Sequence, residues 1–267
     1  GDEAKKIESI SKKYYLTIAL SAIAITAIII PYSLFTMTLV GQEHRVDDLG
    51  NIKSGYVVQN LKGDKIDTWL SWRLSNGAAL YVNILNAKQY PEKTEAIKSA
   101  ILSKEFYEID DNILGKAPKG TISKYYLGWA GALETASQKG SSQFYIPTNL
   151  KVIDSANGAG DITIILENKK NGDGFTGWTK SIADESQNQI LKSEITIYDV
   201  ENLSDNQLLA IARHELGHAF GLAHSSAEED LMFPTLETPY PYISHCDIDA
   251  ISNLYDGGKK SEVVCEK

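Results

Sequence analysis

Three of the five histidines in this 267-residue chain fall in one short run, His214-Glu215-Leu216-Gly217-His218-Ala219-Phe220-Gly221-Leu222-Ala223-His224. Neutral imidazoles bind first-row metals, and three of them leave one position of a tetrahedral zinc ion open for chemistry. The spacing brings the three together. His214 and His218 are four residues apart, so on a helix they share one face, about 6 Å apart along the axis. Glu215 directly follows the first ligand and projects beside the ion rather than onto it. There a carboxylate can take a proton from a metal-bound water. Gly221 can adopt a left-handed conformation, end the helix and turn His224 back toward the same ion.

The element that must carry these residues is legible on both sides. Ser204 and Gln207 form a capping-box pair, Ser-x-x-Gln, and Leu203 and Leu208 fit the accompanying hydrophobic staple. Leu208, Leu209, Ala212, Leu216 and Phe220 provide a core stripe, leaving the histidine face toward a cleft. Cap, stripe and the Gly221 stop agree on one helix of about 16 residues.

The pattern HExxHxxGxxH, followed by Asp230-Leu231-Met232-Phe233-Pro234, resembles the zinc motif and Met-turn of metzincin metallopeptidases. Ser225 after the third histidine and the Met-Phe-Pro order are most similar to the matrixin branch. The similarity runs from about Asp161 to Tyr255. It implies an α+β fold: a twisted mixed sheet, the active-site helix, and a C-terminal subdomain with one helix after Gly221. It implies one catalytic zinc on His214, His218 and His224, with Glu215 as general base and Met232 beneath the ion without binding it. Pro234, Thr235 and Leu236 would line the pocket for the side chain after the scissile bond. Ser193–Val200 would be the sheet edge to which an extended substrate adds a strand. Asp247, at the start of the last helix, would hold the Met-turn by hydrogen bonds.

Three departures accompany the resemblance. Too few histidines remain for the family's second, structural zinc. No cysteine precedes the motif, so the family's thiol latency device is missing; any replacement would come from Asp or Glu within residues 41–72. Residues 87–120 read as an insertion, with a helix opening at Tyr90-Pro91 and a second helical segment over 121–138, where the family has one long helix. The two cysteines, Cys246 and Cys265, are expected to pair in an oxidising compartment.

The rest of the chain suggests a location. Residues 1–13 are polar and contain four lysines. Residues 14–40, Tyr14 to Val40, carry no charge, and as a helix they would span about 40 Å, enough to cross a bilayer with some tilt. The lysines before the span place residues 1–13 in the cytoplasm and the rest outside. A cleaved signal peptide is the rival, but the apolar run is long for one and no A-x-A site closes it. Residues 41–72 read as a linker packed against a catalytic domain at 73–267, with Trp69 and Trp72 as anchors. Residues 78–86, 144–153 and 161–166 read as strands. Calcium is a second candidate ion, at Asn171-Gly172-Asp173-Gly174 or Asp110-Asp111-Asn112, through carboxylate and carbonyl oxygens.

A net charge of −9 argues against nucleic acid as a partner. The expectation is a single-pass membrane zinc endopeptidase acting on extracellular proteins or peptides. The alternative is a non-catalytic envelope-surface binding or scaffold protein with a vestigial zinc site.

Overall fold

The computed structural model describes residues 13–21, 23–26, 38–140 and 142–265. The chain divides into two units, Gly1–Val40 and Gly41–Lys267. In the first, residues 13–21 and 23–26 are helical with exposed side chains. The expected Tyr14–Val40 span lies partly outside the described residues. Among those described, no helix is long and apolar enough to cross a membrane.

The second unit is built on a mixed sheet whose strands, in chain order, are β1 (Ile52–Asn60), β2 (Ser71–Trp72), β3 (Leu80–Ile84), β6 (Leu150–Ile153), β7 (Ile162–Leu166), β8 (Gly177–Asp184), β9 (Gln189–Ile197) and β10 (Thr235–Leu236). The spatial order is β10-β1-β8-β9-β7-β3-β6, with β2 added to β9. β3, β6, β7 and β9 run parallel, and β8 returns antiparallel to β9. Ile162, Ile164, Leu166, Ile195 and Ile197 are all fully or nearly fully buried, as a parallel sheet covered on its faces requires. A separate hairpin joins β4 (Phe106–Asp110) and β5 (Ile122–Tyr126).

Four helices complete the unit: α1 (Pro91–Leu102), α2 (Trp129–Gln138), α3 (Asp205–Ala219) and α4 (His245–Tyr255). α3 packs against α1 and across β1, β8 and β9, while α2 lies against α1 and α4. The Ser204–Gln207 capping box is formed in both directions. A second box, Ser244–Asp247, starts α4. Trp129 Nε1 donates to the Arg213 carbonyl, and Trp72 Nε1 donates to the Ala219 carbonyl near the end of α3. The two indoles thereby fix the depth and the end of the helix that carries the histidines.

Four expectations need correction. Residues 41–72 are not a linker: they contribute β1 and β2, and Ile52 and Trp72 belong to the core. Ser193–Val200 is not the sheet edge, because β9 has β8 on one side and β7 on the other. The segment 121–138 is not one helix. Its first part is β5, held to β4 by cross-strand aromatic pairs Phe106–Tyr126 and Tyr107–Tyr125. The histidine face of α3 is less open than expected, since every residue from Ala210 to Phe220 is buried, although His218 lines a cavity of about 540 Å³ together with Tyr56 and His224; Leu209, by contrast, is only partly buried.

Candidate metal centre and peptide cleft

His214 and His218 leave α3 on the same face, and Gly221 ends the helix as its spacing demands. Gly221 has φ +104°, and a Cβ there would lie 2.2 Å from the Leu70 carbonyl oxygen. Only glycine fits this turn. The Leu222 amide then donates back to the Gly217 carbonyl, and the chain swings His224 round to face the other two rings. One ligand nitrogen from each of His214, His218 and His224 lies within 4.8 Å of the others.

Backbone carbonyls set the ring tautomers. His214 Nδ1 donates to the Leu231 carbonyl at 2.7 Å, and His218 Nδ1 to the Leu222 carbonyl at 2.8 Å. Each Nε2 therefore carries a lone pair, and these two nitrogens are 3.0 Å apart. His224 Nε2 is buried without a hydrogen-bond partner. Burial lowers the pKa of all three: His214 to about 3, with His224 adding to the effect, His224 to about 4, and His218 well below the ordinary value. Three neutral, converging imidazoles, one of them an orphaned buried acceptor, are the donor set that zinc takes.

Glu215 is fully buried beside the triad. Ser54 Oγ donates to its Oε1 at 2.6 Å, and Thr179 Oγ1 donates to its Oε2 at 2.6 Å. Burial pushes the carboxyl up to about 8, against the lowering effect of the two hydroxyls. Ser54 Oγ also lies 3.5 Å from His218 Nε2, so one hydroxyl links the Glu215 carboxyl group to a ring of the triad. Gly177 makes room for it: a Cβ there would meet Glu215 Oε1 at 2.4 Å.

Met232 is fully buried, and its sulfur packs so closely on α3 that a Cβ at Gly217 would lie 2.5 Å from it. The turn is held by Asp230, whose Oδ1 accepts from the Met232 amide at 2.8 Å. Ser244 Oγ lies 3.0 Å from Asp230 Oδ2 and 3.1 Å from Asp247 Oδ2, so Asp247 reaches the turn through Ser244 rather than directly. Burial first, then the charge of Asp230, raises the Asp247 pKa. The ammonium of Lys116, buried at 3.8 Å from Asp230, comes from the segment between β4 and β5. Cys246 and Cys265 are joined by a disulfide that ties the tail to α4. That tail runs past the third ligand, with the Ala223 amide donating to the Ser261 carbonyl.

Of Pro234, Thr235 and Leu236, only Leu236 is fully buried. Thr235 and Leu236 form β10, which pairs antiparallel with Lys53 and Ile52, and the Pro234 carbonyl accepts from the Ser54 amide. Tyr240 and Tyr242 pack with Ile109 and Tyr125 of the hairpin. In the Asn171–Gly174 loop, Asn171 Oδ1 accepts from the Asp173 amide. Neither it nor Asp110-Asp111-Asn112 gathers three acidic side chains among the described residues.

Sequence reasoning missed Ser54, Tyr56 and Thr179. The inward residues of β8 are Gly177, Thr179, Ser181 and Ala183, small or hydroxylated side chains with no apolar alternation to announce a strand. Ser54 and Gly55 similarly interrupt β1. The available signal was weaker: the β-branched and aromatic content of Tyr56-Val57-Val58.

Residues 132–256 match the family model described as Matrixin. The chain is 33% identical over 115 residues to a probable matrix metalloproteinase, 095L, of Invertebrate iridescent virus 3, covering 39% of this chain and 31% of that protein. It is 34% identical over 149 residues to Matrix metalloproteinase-20 of Homo sapiens, covering 50% and 30%. It is 42% identical over 50 residues to Metalloendoproteinase 2-MMP of Arabidopsis thaliana, covering 18% and 13%. The chain thus spans less than a third of the length of these relatives.

Proposed function

We propose that this chain, whose residues 132–256 match the matrixin family model, is a zinc-dependent endopeptidase of the matrixin-like metzincin type. The observation that supports this reading best is the pairing of three converging neutral imidazoles with a carboxyl group, Glu215, that is not one of the converging ligands and is linked to His218 through the Ser54 hydroxyl. His214, His218 and His224 would hold a zinc ion, which would supply Lewis acidity to a bound water and to the scissile carbonyl. Glu215 accepts the proton as the water attacks and returns it to the leaving amine nitrogen. Thr179 holds Glu215 in place through Oε2. The Leu231 and Leu222 carbonyls fix His214 and His218 with their Nε2 atoms facing one another, where they would hold the ion. Met232 packs against the helix beneath the triad, and the substrate is a protein or peptide.

The test is a peptide library incubated with the zinc-loaded full chain, intact and after limited proteolysis. Wild type should cleave and be stopped by a chelator. Glu215→Gln should keep its zinc and lose activity by about 10²–10⁴-fold. Equal cleavage by the two proteins overturns the assignment. Bound zinc without cleavage in either state favours the scaffold reading, for which the burial of Glu215 under two hydroxyls is the relevant observation.

Membrane anchoring through Tyr14–Val40, with the domain outside the cell, rests on the uncharged run and the preceding lysines. The Cys246–Cys265 disulfide fits an oxidising compartment. Release of the chain by alkaline carbonate washing of membranes would remove this part of the proposal.

A further inference from the structure

The arginines of the chain differ in how fully their donors are used. Arg45 pairs with Asp47 at 2.9 Å, and Arg213 donates from Nε and Nη1 to the Leu127 and Pro241 carbonyls. Arg73 is left with an open edge. Its guanidinium carbon lies 3.1 Å from the centre of the Phe144 ring, and Nη2 reaches the Gln187 carbonyl only at 3.4 Å. Nη1 is buried and has no hydrogen-bond partner. A guanidinium stays charged at any ordinary pH, so an unmet N–H of this kind is costly and calls for an acceptor.

Three segments fix this geometry. Arg73 directly follows β2, whose Ser71 amide donates to the Asn188 carbonyl beside Gln187. The Phe144 amide donates to the Tyr255 carbonyl at the end of α4. The guanidinium is thus held between a fixed ring and a fixed carbonyl, with Nη1 left over.

What Arg73 borders gives that donor a direction. It lines a cavity of about 1060 Å³, to which Ser75, Asn76 and Gln143 add hydroxyl and amide groups and no acidic side chain contributes. Arg73, Gln143 and Phe144 also border a smaller cavity of about 260 Å³, again without an acid, whose wall includes Trp69 and Lys259. Trp69 and Lys259 in turn line the cavity of His218 and His224, where Lys260 joins them and Asp67 and Glu262 offset the two lysines. The three cavities share walls from the metal ligands to Arg73. In a chain of net charge −9, a track whose far part carries cations alone favours negative charge.

We infer that this track is a substrate subsite, in which Arg73 takes the carboxylate of an aspartate or glutamate remote from the scissile bond, so that the substrates are acidic peptide segments. The inference rests on the endopeptidase reading above and adds a substrate class to it. A carboxylate fits because its oxygens accept from a guanidinium edge in one plane, and its single charge answers a single unpaired cation. Lys259 is exposed, on the tail that the disulfide holds, so it attracts the same charge with a smaller share.

The experiment uses the zinc-loaded full chain and otherwise uncharged peptides with a hydroxamate at the amino or the carboxyl end, which anchors them on the zinc. One glutamate is moved a position at a time away from the hydroxamate, and every peptide has a glutamine twin. At a restricted range of spacings the glutamate peptide should bind about tenfold tighter than its twin, the worth of one hydrogen bond to a charged group. High salt should shrink the preference. Arg73→Gln should abolish it with zinc content unchanged, Arg73→Lys should restore part of it, and Lys259→Gln should lower it about twofold. If Arg73→Gln loses its zinc, the exposed Lys259→Gln carries the test. In cleavable peptides of the same spacing the preference should appear in KM rather than kcat.

Equal binding of glutamate and glutamine peptides at every spacing overturns the subsite, while hydrolysis of the neutral twins leaves the peptidase reading standing. A glutamate preference that depends on Arg73, without hydrolysis of any peptide, keeps the anion site and removes the peptidase reading. A preference that survives Arg73→Gln and Lys259→Gln together lies elsewhere and overturns the proposal. Failure of every hydroxamate peptide to bind removes the zinc site and the subsite with it.

Discussion

The metal site has two sides of different origin. One is the helical side, Ser204 to Met232, where each part sits close in sequence to the part it serves. Ser204 caps through Gln207, His214 and His218 are one turn apart, and Gly221 turns the chain to His224. The other is the strand side, β1 and β8, which reaches the same carboxylate across 161 residues from Ser54 and 36 from Thr179. On the proposed function the helical side carries the ligands and the base, and the strand side supplies the hydroxyls that hold Glu215. A site of this kind places its chemistry on a local motif and leaves control of that chemistry to contacts that local motifs do not encode.

His218 is where the two sides meet, as a ligand and as the ring under Tyr56. His218→Ala should therefore have the largest effect: loss of bound zinc by metal analysis and loss of all chelator-sensitive hydrolysis. Retained stoichiometric zinc would mean that the triad is not the site. Next comes the disulfide behind the ligand loop. Removing it by a Cys246→Ala, Cys265→Ala double substitution should cost about 3 kcal/mol in denaturant unfolding for a loop of this size. An unchanged unfolding midpoint would show that the tail does not brace the His224 loop.

Thr179→Val isolates the strand side. It leaves Glu215 Oε2 without its donor, a cost of about 1–3 kcal/mol. In the peptide-hydrolysis assay we expect kcat to fall about tenfold with KM and zinc content unchanged. A change confined to KM would assign Thr179 to substrate binding instead. The smallest expected effect is Ser204→Ala on the helical side, about 1 kcal/mol of stability from one lost cap. It should leave kcat unchanged in the same assay. If Ser204→Ala lowered kcat as much as Thr179→Val, the division between a local scaffold and a non-local controlling side would not hold.

What could be read from the chain follows the same division. The active-site helix, both its ends and the Met-turn were legible because helix caps, 3.6-residue spacing and a glycine stop act over a few residues. Strands with apolar, β-branched character, such as Ile162–Leu166, were legible for the same reason. β8 was not, because its inward positions are small and polar to make room for Glu215. β1 was read as a linker, because a strand that inserts between two others is defined by its partners. The hairpin at Ile122–Tyr126 was mistaken for helix, since Tyr125, Trp129 and Leu133 fall at helical spacing even though the helix begins only at Trp129.

Sequence alone determined which three histidines converge, the carboxyl group proposed as their base and the turn that gathers them. Each depends on neighbours within one or two helical turns. Tertiary structure alone decided which strand borders the cleft, what hydroxyls hold Glu215, and that residues 52–60 lie across the site. Those outcomes turn on edge-to-edge hydrogen bonding between distant segments, and backbone amides and carbonyls are alike at every position, so only the assembled sheet selects which ones pair.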